Sequence, residues 1–362
     1  LEKIVRASAS IFEIQSLKTF ISGVLMQLVS MLRLEEDALY CQASGISAAS
    51  TGGELKVVAA VGKFEEMDVV DKDITAVLPG DVLALIQRSM NEGQSISEKN
   101  RYVVYFRSKI GAAHVVYLER TEDIDQWEKD LIDIFCTNIA IAFDNIYLNQ
   151  ELEASQKEII FTLGEIVEFR SSDTHNHVRR VGAICSFLGS KLGLTDEECE
   201  ILRVASAMHD IGKLAIPDRI LLKEDTLTTE EFEVMKLYTT AGHDMLKFSR
   251  RNILRPASVI AAQHHEHWDG QGYPGKLKGE EINIFARITA VADVFDALVS
   301  DRCYRKALPL EEVINYFKDN SGKQFDPTVT STLLDNLDEI MNIRTRITER
   351  RKSALEDLAC EE

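Results

Sequence analysis

The sequence lacks several features that would place the chain in a familiar class. Its six cysteines form no CxxC pair, and no secretory signal precedes them. We therefore predict reduced thiols, buried as small hydrophobic side chains, in a cytoplasmic protein. No apolar run approaches the roughly 18 residues that a membrane span requires, so the sequence predicts no membrane segment.

Basic residues are scarce relative to acidic ones. Lys and Arg number 41 against 59 Asp and Glu, which gives a net charge of -18. This balance argues against non-specific binding to nucleic acid or to an anionic membrane. It still allows a phosphate-bearing small molecule, because bound metals and a few basic side chains can reverse the charge locally.

The length and the first residue of the chain predict two domains in a fragment of a longer protein. With 362 residues, the chain is long enough for two domains, each with its own core. It begins with Leu1 rather than methionine, so we expect it to be a fragment of a longer protein.

The first half of the sequence mixes helix and strand patterns. Residues 10–33 carry apolar side chains at helical spacing, and glycine-bearing turns separate the strand-like runs that follow. A helical pattern then continues from 125 to about 169 with almost no breaker. This length predicts a connector that transmits a signal or dimerises. The four predicted strands are 38–41, 55–60, 102–106 and 114–118.

The second half loses strand character and is predicted to be a set of helices. Thr195 and Thr228 each precede acidic residues, as an N-cap does at the start of a helix. Pro309 likewise opens a helical pattern, and 330–362 form a further helical stretch. We predict an all-α bundle for this half.

Histidine-rich motifs distinguish the second half. Seven of the eight histidines lie between His175 and His267, a stretch that contains HDIGK at 209–213 and HHEHWDGQGYP at 264–274. Imidazole nitrogens together with carboxylate oxygens suit divalent iron, manganese, zinc or nickel. A carboxylate beside a histidine can also bridge two ions, as in two-metal hydrolases. The second half is therefore predicted to hold a metal centre.

Together with three further motifs, these strings resemble the HD-GYP family, a branch of the HD superfamily. The resemblance covers about 155–335 and implies a helical, metal-dependent phosphodiesterase that acts on cyclic di-GMP. The further motifs are DxxxH at 173–177, ADVFDAL at 292–298 and SDRCYR at 300–305.

The layout of the first half is similar to a GAF-type sensor domain, of the kind found in bacterial response regulators. The resemblances together imply an α+β chain with a long connecting helix between its domains. The expected domains are a GAF-like α/β sensor at 1–147, an all-α HD-GYP bundle at 148–340 and a helical tail at 341–362.

The HD-GYP resemblance implies a centre of two or three divalent transition-metal ions, with iron or manganese preferred. Asp210 matches the carboxylate that bridges two ions. Asp173 lies one helical turn before His177, where a subset of the family uses Glu to bind a third metal. Asp296 and Arg305 are assigned supporting roles around the ligands. The implied ligands are Asp173, His177, His209, Asp210, His264, His265 and Asp293.

One position departs from the family pattern. The family has a ligand histidine in an MKxH string, and this chain has Tyr238 there. Tyr238 could ligate ferric iron as a phenolate, could leave an open position for water, or could leave one metal weakly held. His243 lies five residues further on, about 140° around a helix, and cannot simply substitute. His114, His175 and His267 are also interpreted as non-ligands.

Two basic residues and one tyrosine are expected to contact substrate. Lys213 and Arg302 match positions that contact phosphate, and their charges suit that task. Tyr273, in the glycine-rich loop, could hydrogen-bond a phosphate or stack on guanine. Water activated by the metals would attack phosphorus, with Asp210 and Lys213 as the catalytic residues.

The sequence leaves three functions open. The leading hypothesis is hydrolysis of cyclic di-GMP to pGpG, with further cleavage to GMP undecided. The second keeps the chemistry and changes the substrate to another cyclic dinucleotide, such as cyclic GMP-AMP. The third is a degenerate cyclic-dinucleotide sensor or interaction module, whose metal site Tyr238 has weakened. The expected partners are a second copy of the chain through the connecting helix, an upstream receiver domain and a diguanylate cyclase, without nucleic acid or membrane.

Overall fold

The chain divides into two compact units, Leu1–Glu153 and Ala154–Glu362. The first unit combines helices with a small sheet, and the second is helical among the residues described. A computed structural model describes residues 21–23, 25–26, 37–43, 55–98, 100–109, 113–119, 125–170, 176–301 and 306–360. Most of the helix predicted at 10–33 therefore lies outside the described residues.

In the described part of the first unit, five strands form a sheet in which all neighbouring pairs are antiparallel. The four predicted strands are confirmed. The additional strand is only three residues long, too short to show an alternating pattern in the sequence. The strands are β1 Ala38–Ala43, β2 Leu55–Val61, β3 Ile96–Glu98, β4 Arg101–Arg107 and β5 Ala113–Glu119. Their order across the sheet is β2-β1-β5-β4-β3.

Apolar side chains fill both faces of this sheet, because successive residues of a strand point to opposite sides. Among the described residues, 21–23 and 25–26 are helical, and the helices with described bounds are α1 Lys63–Glu66, α2 Ile74–Val77, α3 Gly80–Glu92 and the first part of α4 Gln126–Arg170. On one face, α4 packs on the sheet through Ile132, Cys136, Ile139 and Ala142. On the other, α3 packs through Val82, Leu85 and Ile86.

His114 of β5 lies fully buried in the core of the first unit. Its Nδ1 is 2.6 Å from the hydroxyl of Tyr40. Its ring stacks on Phe106 and meets Phe143 edge-on. Burial lowers the pKa of His114 to about 4, although the charge of Asp144 opposes this. His114 is therefore a neutral core residue of the first unit.

Helix α4 is 45 residues long and matches the predicted connector closely. By length and composition alone it could cross a membrane, since its most apolar 18-residue stretch has a mean hydropathy of 1.4. Of that stretch, 44% is buried inside the structure, and the core helix of a soluble protein passes the same test. The helix is thus weak support for a membrane span, and the absence of one stays a prediction.

Nine α-helices begin after α4 in the described part of the second unit, joined by three 3-10 turns at 206–208, 211–215 and 279–281. Thr195 and Thr228 cap their helices in complete capping boxes with Glu198 and Glu231, as the sequence predicted. The helices are α5 His177–Lys191, α6 Asp196–Ala205, α7 Asp218–Leu221, α8 Thr229–Leu246, α9 Leu254–Gln263, α10 Ile284–Leu298, α11 Leu310–Asn320, α12 Pro327–Asp335 and α13 Leu337–Cys360.

The core of the second unit explains how distant motifs come together. Helices α5, α6 and α10 carry apolar stripes that pack on one another and on the helices that follow. The fully buried side chains of this core include Val181, Leu188, Leu202, Ile288, Phe295 and Phe317.

Candidate metal centre

Two carboxylates join three histidines from separate parts of the second unit. Nε2 of His177, the first residue of α5, lies 3.2 Å from Oδ1 of Asp293 on α10. Nε2 of His209 lies 3.9 Å from the same oxygen and 3.3 Å from Oδ2 of Asp210. Nε2 of His264, just after α9, lies 3.6 Å from Oδ1 of Asp210. Five of the seven predicted ligands are thus linked by direct contacts.

The opposite ring nitrogens of two histidines are fixed by backbone carbonyls. Nδ1 of His209 lies 2.8 Å from the carbonyl oxygen of Ser206, and Nδ1 of His264 lies 3.0 Å from that of Ile260. A carbonyl oxygen can only accept, so Nδ1 carries the proton in both rings. In the neutral ring, Nε2 is then left with its lone pair directed at the carboxylates. This is the arrangement that metal-binding histidines use.

His177 is fixed in the same way by a carboxylate. Its Nδ1 lies 2.9 Å from Oδ2 of Asp296, which has no exposed surface. Asp296 in turn accepts hydrogen bonds from Arg180 of α5 and Arg344 of α13. The supporting role predicted for Asp296 fits this contact, since the carboxylate orients the ring of His177.

The polar atoms at the centre fit a cation. Among the described residues, Nε2 of His209 and Oδ1 of Asp210 are buried without a hydrogen-bond partner. Buried polar atoms of this kind call for a partner. In addition, Glu168, His177 and His209 can each present one ligand atom within 4.8 Å of the others. A mixed set of imidazole and carboxylate ligands is one that divalent transition metals accept.

The charge at the centre also suits a cation. Burial opposes ionisation of Asp210, but Lys213 and His209 hold the pKa of Asp210 well below its usual range. Burial likewise opposes ionisation of Asp293, and the bond from His177 lowers the pKa of that carboxyl. The negative charge of Asp210 raises the pKa of His209 to about 9 despite its burial. The carboxylates therefore create a field that favours positive charge.

Glu168 is a candidate ligand that the sequence analysis missed. It is buried near the C-terminal end of α4, and its Oε1 lies 3.7 Å from Nζ of Lys213. Arg170 ties this end of α4 to the HDIGK segment by donating to the carbonyl oxygens of Lys213 and Ile216. No local sequence motif marks Glu168 as a ligand. The predicted third-metal ligand, Asp173, lies outside the described residues.

Tyr238 occupies the place where the family has a ligand histidine. Its hydroxyl lies 3.0 Å from Nε2 of His264 and also contacts Nε2 of His265. The side chain is buried, and burial raises the pKa of its phenol. The packing around it is tight, because a Cβ on Gly212 would lie 1.8 Å from the carbonyl oxygen of Tyr238. This close approach explains the glycine of HDIGK.

The residues predicted to contact substrate are only partly described. Lys213 is largely buried, and its Nζ lies 2.6 Å from Oδ2 of Asp210. The ring of Tyr273 stacks on His265 at a centroid distance of 4.9 Å, so that face cannot stack on a base. Its neighbours also include Phe232, the ammonium group of Lys236 and the side chain of Tyr238. Arg302 and Arg305 lie outside the residues that the structure describes.

The remaining histidines stand apart from these contacts or cannot be placed. His243 lies on α8, and its Nδ1 is 3.1 Å from the carbonyl oxygen of Ser258. The backbone carbonyl of His267 accepts from Gly270 within the glycine-rich loop. His175 falls outside the described residues. The interpretation of all three as non-ligands stays a prediction.

Comparison with known families agrees with the division into two units. A family model described as an HD domain matches residues 162–329. A second model, described as a domain of unknown function (DUF3369), matches residues 1–152. The predicted GAF identity of the first unit is therefore not confirmed.

Three curated proteins illustrate the relationship. The 3'3'-cGAMP-specific phosphodiesterase 2 of Vibrio cholerae is 33% identical over 347 residues, which are 96% of this chain and 66% of that protein. A cyclic di-GMP phosphodiesterase of Thermotoga maritima is 43% identical over 189 residues, 52% of this chain and 51% of that protein. The cyclic di-GMP phosphodiesterase response regulator RpfG of Xanthomonas campestris is 39% identical over 184 residues, 51% of this chain and 49% of that protein.

The chain thus spans between half and two thirds of the length of these relatives. Its HD domain, and the relatives that share it, show that the chain belongs to the HD-GYP family.

Proposed function

We propose that the second unit is a metal-dependent phosphodiesterase that hydrolyses cyclic di-GMP to linear pGpG. One observation carries the proposal: three histidines held by Nδ1 direct Nε2 at the carboxylates of Asp210 and Asp293. Such an arrangement has no evident use in a purely structural core, since burying ionised carboxylates is costly. The names of the relatives point to cyclic dinucleotides as substrates.

The proposed metal ions would be held by the residues that meet at this centre. Glu168 joins the set beside His177 and His209, and Asp210 is the proposed bridging carboxylate. We favour iron or manganese over zinc, because the set mixes imidazoles with carboxylates and includes the proposed bridging Asp210. Divalent ions bound here would supply Lewis-acid activation of water and of phosphate oxygens. The remaining proposed ligands are His264, His265 and Asp293, and also Asp173, which lies outside the described residues.

The chain's own charged groups would then bind and orient the substrate. Lys213 places its ammonium group beside Asp210, where it could hold a non-bridging phosphate oxygen as a compact positive charge. Tyr273 could donate its hydroxyl to phosphate, while stacking on a base is limited by His265. Arg302 is proposed as a second, bidentate phosphate contact.

A different cyclic dinucleotide is the first alternative substrate. It is favoured by one observation: the relative that aligns with nearly the whole chain is named as specific for 3'3'-cGAMP. A competition assay with equimolar cyclic di-GMP and 3'3'-cGAMP, followed by chromatography of both linear products, tests the choice. Faster loss of cyclic di-GMP supports the proposal, and faster loss of 3'3'-cGAMP favours the alternative.

A degenerate sensor is the second alternative, and Tyr238 is the observation that favours it. A neutral tyrosine binds divalent ions poorly, because its phenol ionises only near pH 10. We propose that Tyr238 supplies no ligand, so that the coordination position of the metal is left open or is taken by water, and that activity is present but weaker than in members with the histidine. Tight binding of cyclic di-GMP without any hydrolysis would support the sensor.

Helix α4 supports the proposed homodimer. Seven of its exposed large apolar residues recur every seven positions: four at one heptad position in the first part of the helix, then three at the position four residues later; Leu163 and Phe169 are also exposed. This seam would bury itself in a parallel coiled coil with a second copy. The residues are Trp127, Ile134, Ile141 and Leu148, followed by Leu152, Ile159 and Ile166.

The long helix α4 also suggests how the second unit is regulated. We propose that the first unit is a GAF-like sensor that controls the second through α4, in a cytoplasmic protein. An upstream receiver domain and a functional partnership with a diguanylate cyclase fit such a protein. Binding and activity measured with the receiver domain fused in its phosphorylated and unphosphorylated forms would test this control.

A further inference from the structure

Helix α13, which lies beyond the residues matched by the HD model, contacts the candidate metal centre through one side chain. Arg344 donates from Nε to Oδ1 of Asp296 at 2.7 Å. It also donates from Nη2 to Oγ of Ser300 at 2.8 Å and to the carbonyl oxygen of Val299 at 3.4 Å. Arg344 therefore hydrogen-bonds both to Asp296 and to the residues that follow the C-terminal end of α10.

Asp296 connects Arg344 to the proposed metal ligand His177. Its Oδ1 accepts from Nε of Arg180 at 2.8 Å as well as from Arg344. Its Oδ2 accepts from Nη2 of Arg180 at 2.8 Å and from Nδ1 of His177 at 2.9 Å. With Oδ1 held by two guanidinium groups, the carboxylate cannot turn, and Oδ2 stays directed at His177.

The orientation of His177 decides where its other nitrogen points. Because Nδ1 is held by Asp296, Nε2 lies 3.2 Å from Oδ1 of Asp293. Partners that fix a ligand histidine in this way commonly contribute to metal affinity. Removal of Arg344 would leave Arg180 as the single guanidinium on Asp296 among the described contacts, and would free the end of α10 that follows Asp293.

We propose that Arg344 is a positioning residue: through Asp296 it orients His177, so that the C-terminal helix completes the metal centre. The inference rests on the proposed function in that the bound group is a divalent ion. It gives α13 a role in metal binding, whereas the sequence suggested only a helical tail.

The competing explanation is that Arg344 merely joins helices. The second unit offers a matched control in the pair of Arg287 and Asp326, whose Nη1 and Oδ2 atoms lie 2.6 Å apart. Both arginine side chains are mostly buried, at 16% exposed for Arg287 and 12% for Arg344, and both acids are fully buried. The two ion pairs should therefore contribute similarly to folding, but only Arg344 reaches a proposed ligand.

The test is calorimetric titration of the metal-free full chain with Mn²⁺, alongside the thermal unfolding of the same samples. We expect Arg344→Met to weaken Mn²⁺ binding about tenfold and Arg344→Lys to recover part of the loss. Arg287→Met should lower the unfolding temperature of the metal-free chain and leave the Mn²⁺ affinity unchanged.

Equal Mn²⁺ affinity in the parent chain and in Arg344→Met would overturn the inference, as would equal weakening by Arg287→Met. If Arg344→Met does not fold, Arg344→Lys decides: an affinity equal to that of the parent chain overturns the inference. A parent chain that binds no Mn²⁺ or Fe²⁺ would instead contradict the proposed metal centre itself, and this result is distinct from the others.

Discussion

The hydroxyl of Tyr238 lies 3.0 Å from Nε2 of His264 and contacts Nε2 of His265 as well. A single hydroxyl therefore occupies the space between two proposed ligands, at the position where the family has a histidine. His264 donates from Nδ1 to the carbonyl oxygen of Ile260, so its Nε2 can accept the tyrosine proton. The hydroxyl oxygen can then accept from Nε2 of His265, so one hydroxyl can satisfy both nitrogens without a metal and would compete with one.

Tyr238→His tests this competition. The substitution returns an imidazole to a pocket whose other groups are in place, so metal occupancy should rise and the phosphodiesterase rate should rise with it. Tyr238→Phe is the control, because it keeps the ring and removes only the hydroxyl. Elemental analysis and turnover of both variants provide the measurement.

If Tyr238 is instead a phenolate ligand of ferric iron, the parent chain should show a visible charge-transfer band that both variants lose. If metal content, colour and rate all stay unchanged in Tyr238→His, the residue serves packing alone and both ligand-based explanations are wrong.

Asp210→Ala should abolish turnover and empty at least one metal position. The carboxylate faces His209, His264 and Lys213, and its loss removes the proposed bridge between ions. The decrease in activity should exceed the roughly 10–100-fold that follows when a residue hydrogen-bonded to a metal ligand is removed. Asp244→Ala removes an exposed acid of α8 and should retain full activity. Full activity in Asp210→Ala would contradict its assignment.

The homodimer seam on α4 predicts a charge-sensitive association. Leu148→Lys places a charge in the middle of the exposed apolar stripe and should convert a dimer into a monomer. Gln150→Lys adds the same charge on another face of the helix, at an exposed position, and should leave the dimer intact. Analytical ultracentrifugation of the full chain measures both. A parent chain that is monomeric throughout would rule the seam out.

Acid should destabilise the first unit through His114. Its pKa is about 4 in the folded state against an ordinary value of 6.5, because the ring is buried. The folded pKa lies below the unfolded one, so the contribution of His114 to stability is present above pH 6.5 and is lost as the pH falls towards 4. The full difference corresponds to roughly 3 kcal/mol.

Hydrogen exchange of the amides of β1 and β5, measured from pH 7.5 to 4.5, provides the test. After correction for the intrinsic exchange rate, protection should fall across this range in the parent chain. It should fall much less in His114→Leu, while His243→Gln in the second unit should behave as the parent. An identical loss in His114→Leu and the parent would show that other groups cause the acid sensitivity.

Local patterns in the sequence predicted much of the fold. The N-caps at Thr195 and Thr228 and the long helix α4 were predicted because each depends on neighbouring residues. The strand Ile96–Glu98 was missed because it depends on pairing with β4, not on its own pattern.

The candidate site was predictable to the extent that its residues lie in motifs. The contacts among His177, His209 and Asp293 agree with their motif positions. Glu168 and Arg344 were missed because nothing near them in the sequence indicates their partners. Their positions follow from tertiary packing, which brings the end of α4 and the start of α13 to the same centre.

The most direct test is hydrolysis of cyclic di-GMP by the full chain, purified without oxygen and reconstituted with Fe²⁺ or Mn²⁺. We predict two or three metal ions per chain by elemental analysis, and linear pGpG as the product in chromatography, with no turnover after chelation. Fewer than one metal ion per chain, or a fully loaded chain that hydrolyses no cyclic dinucleotide, would contradict the proposed function.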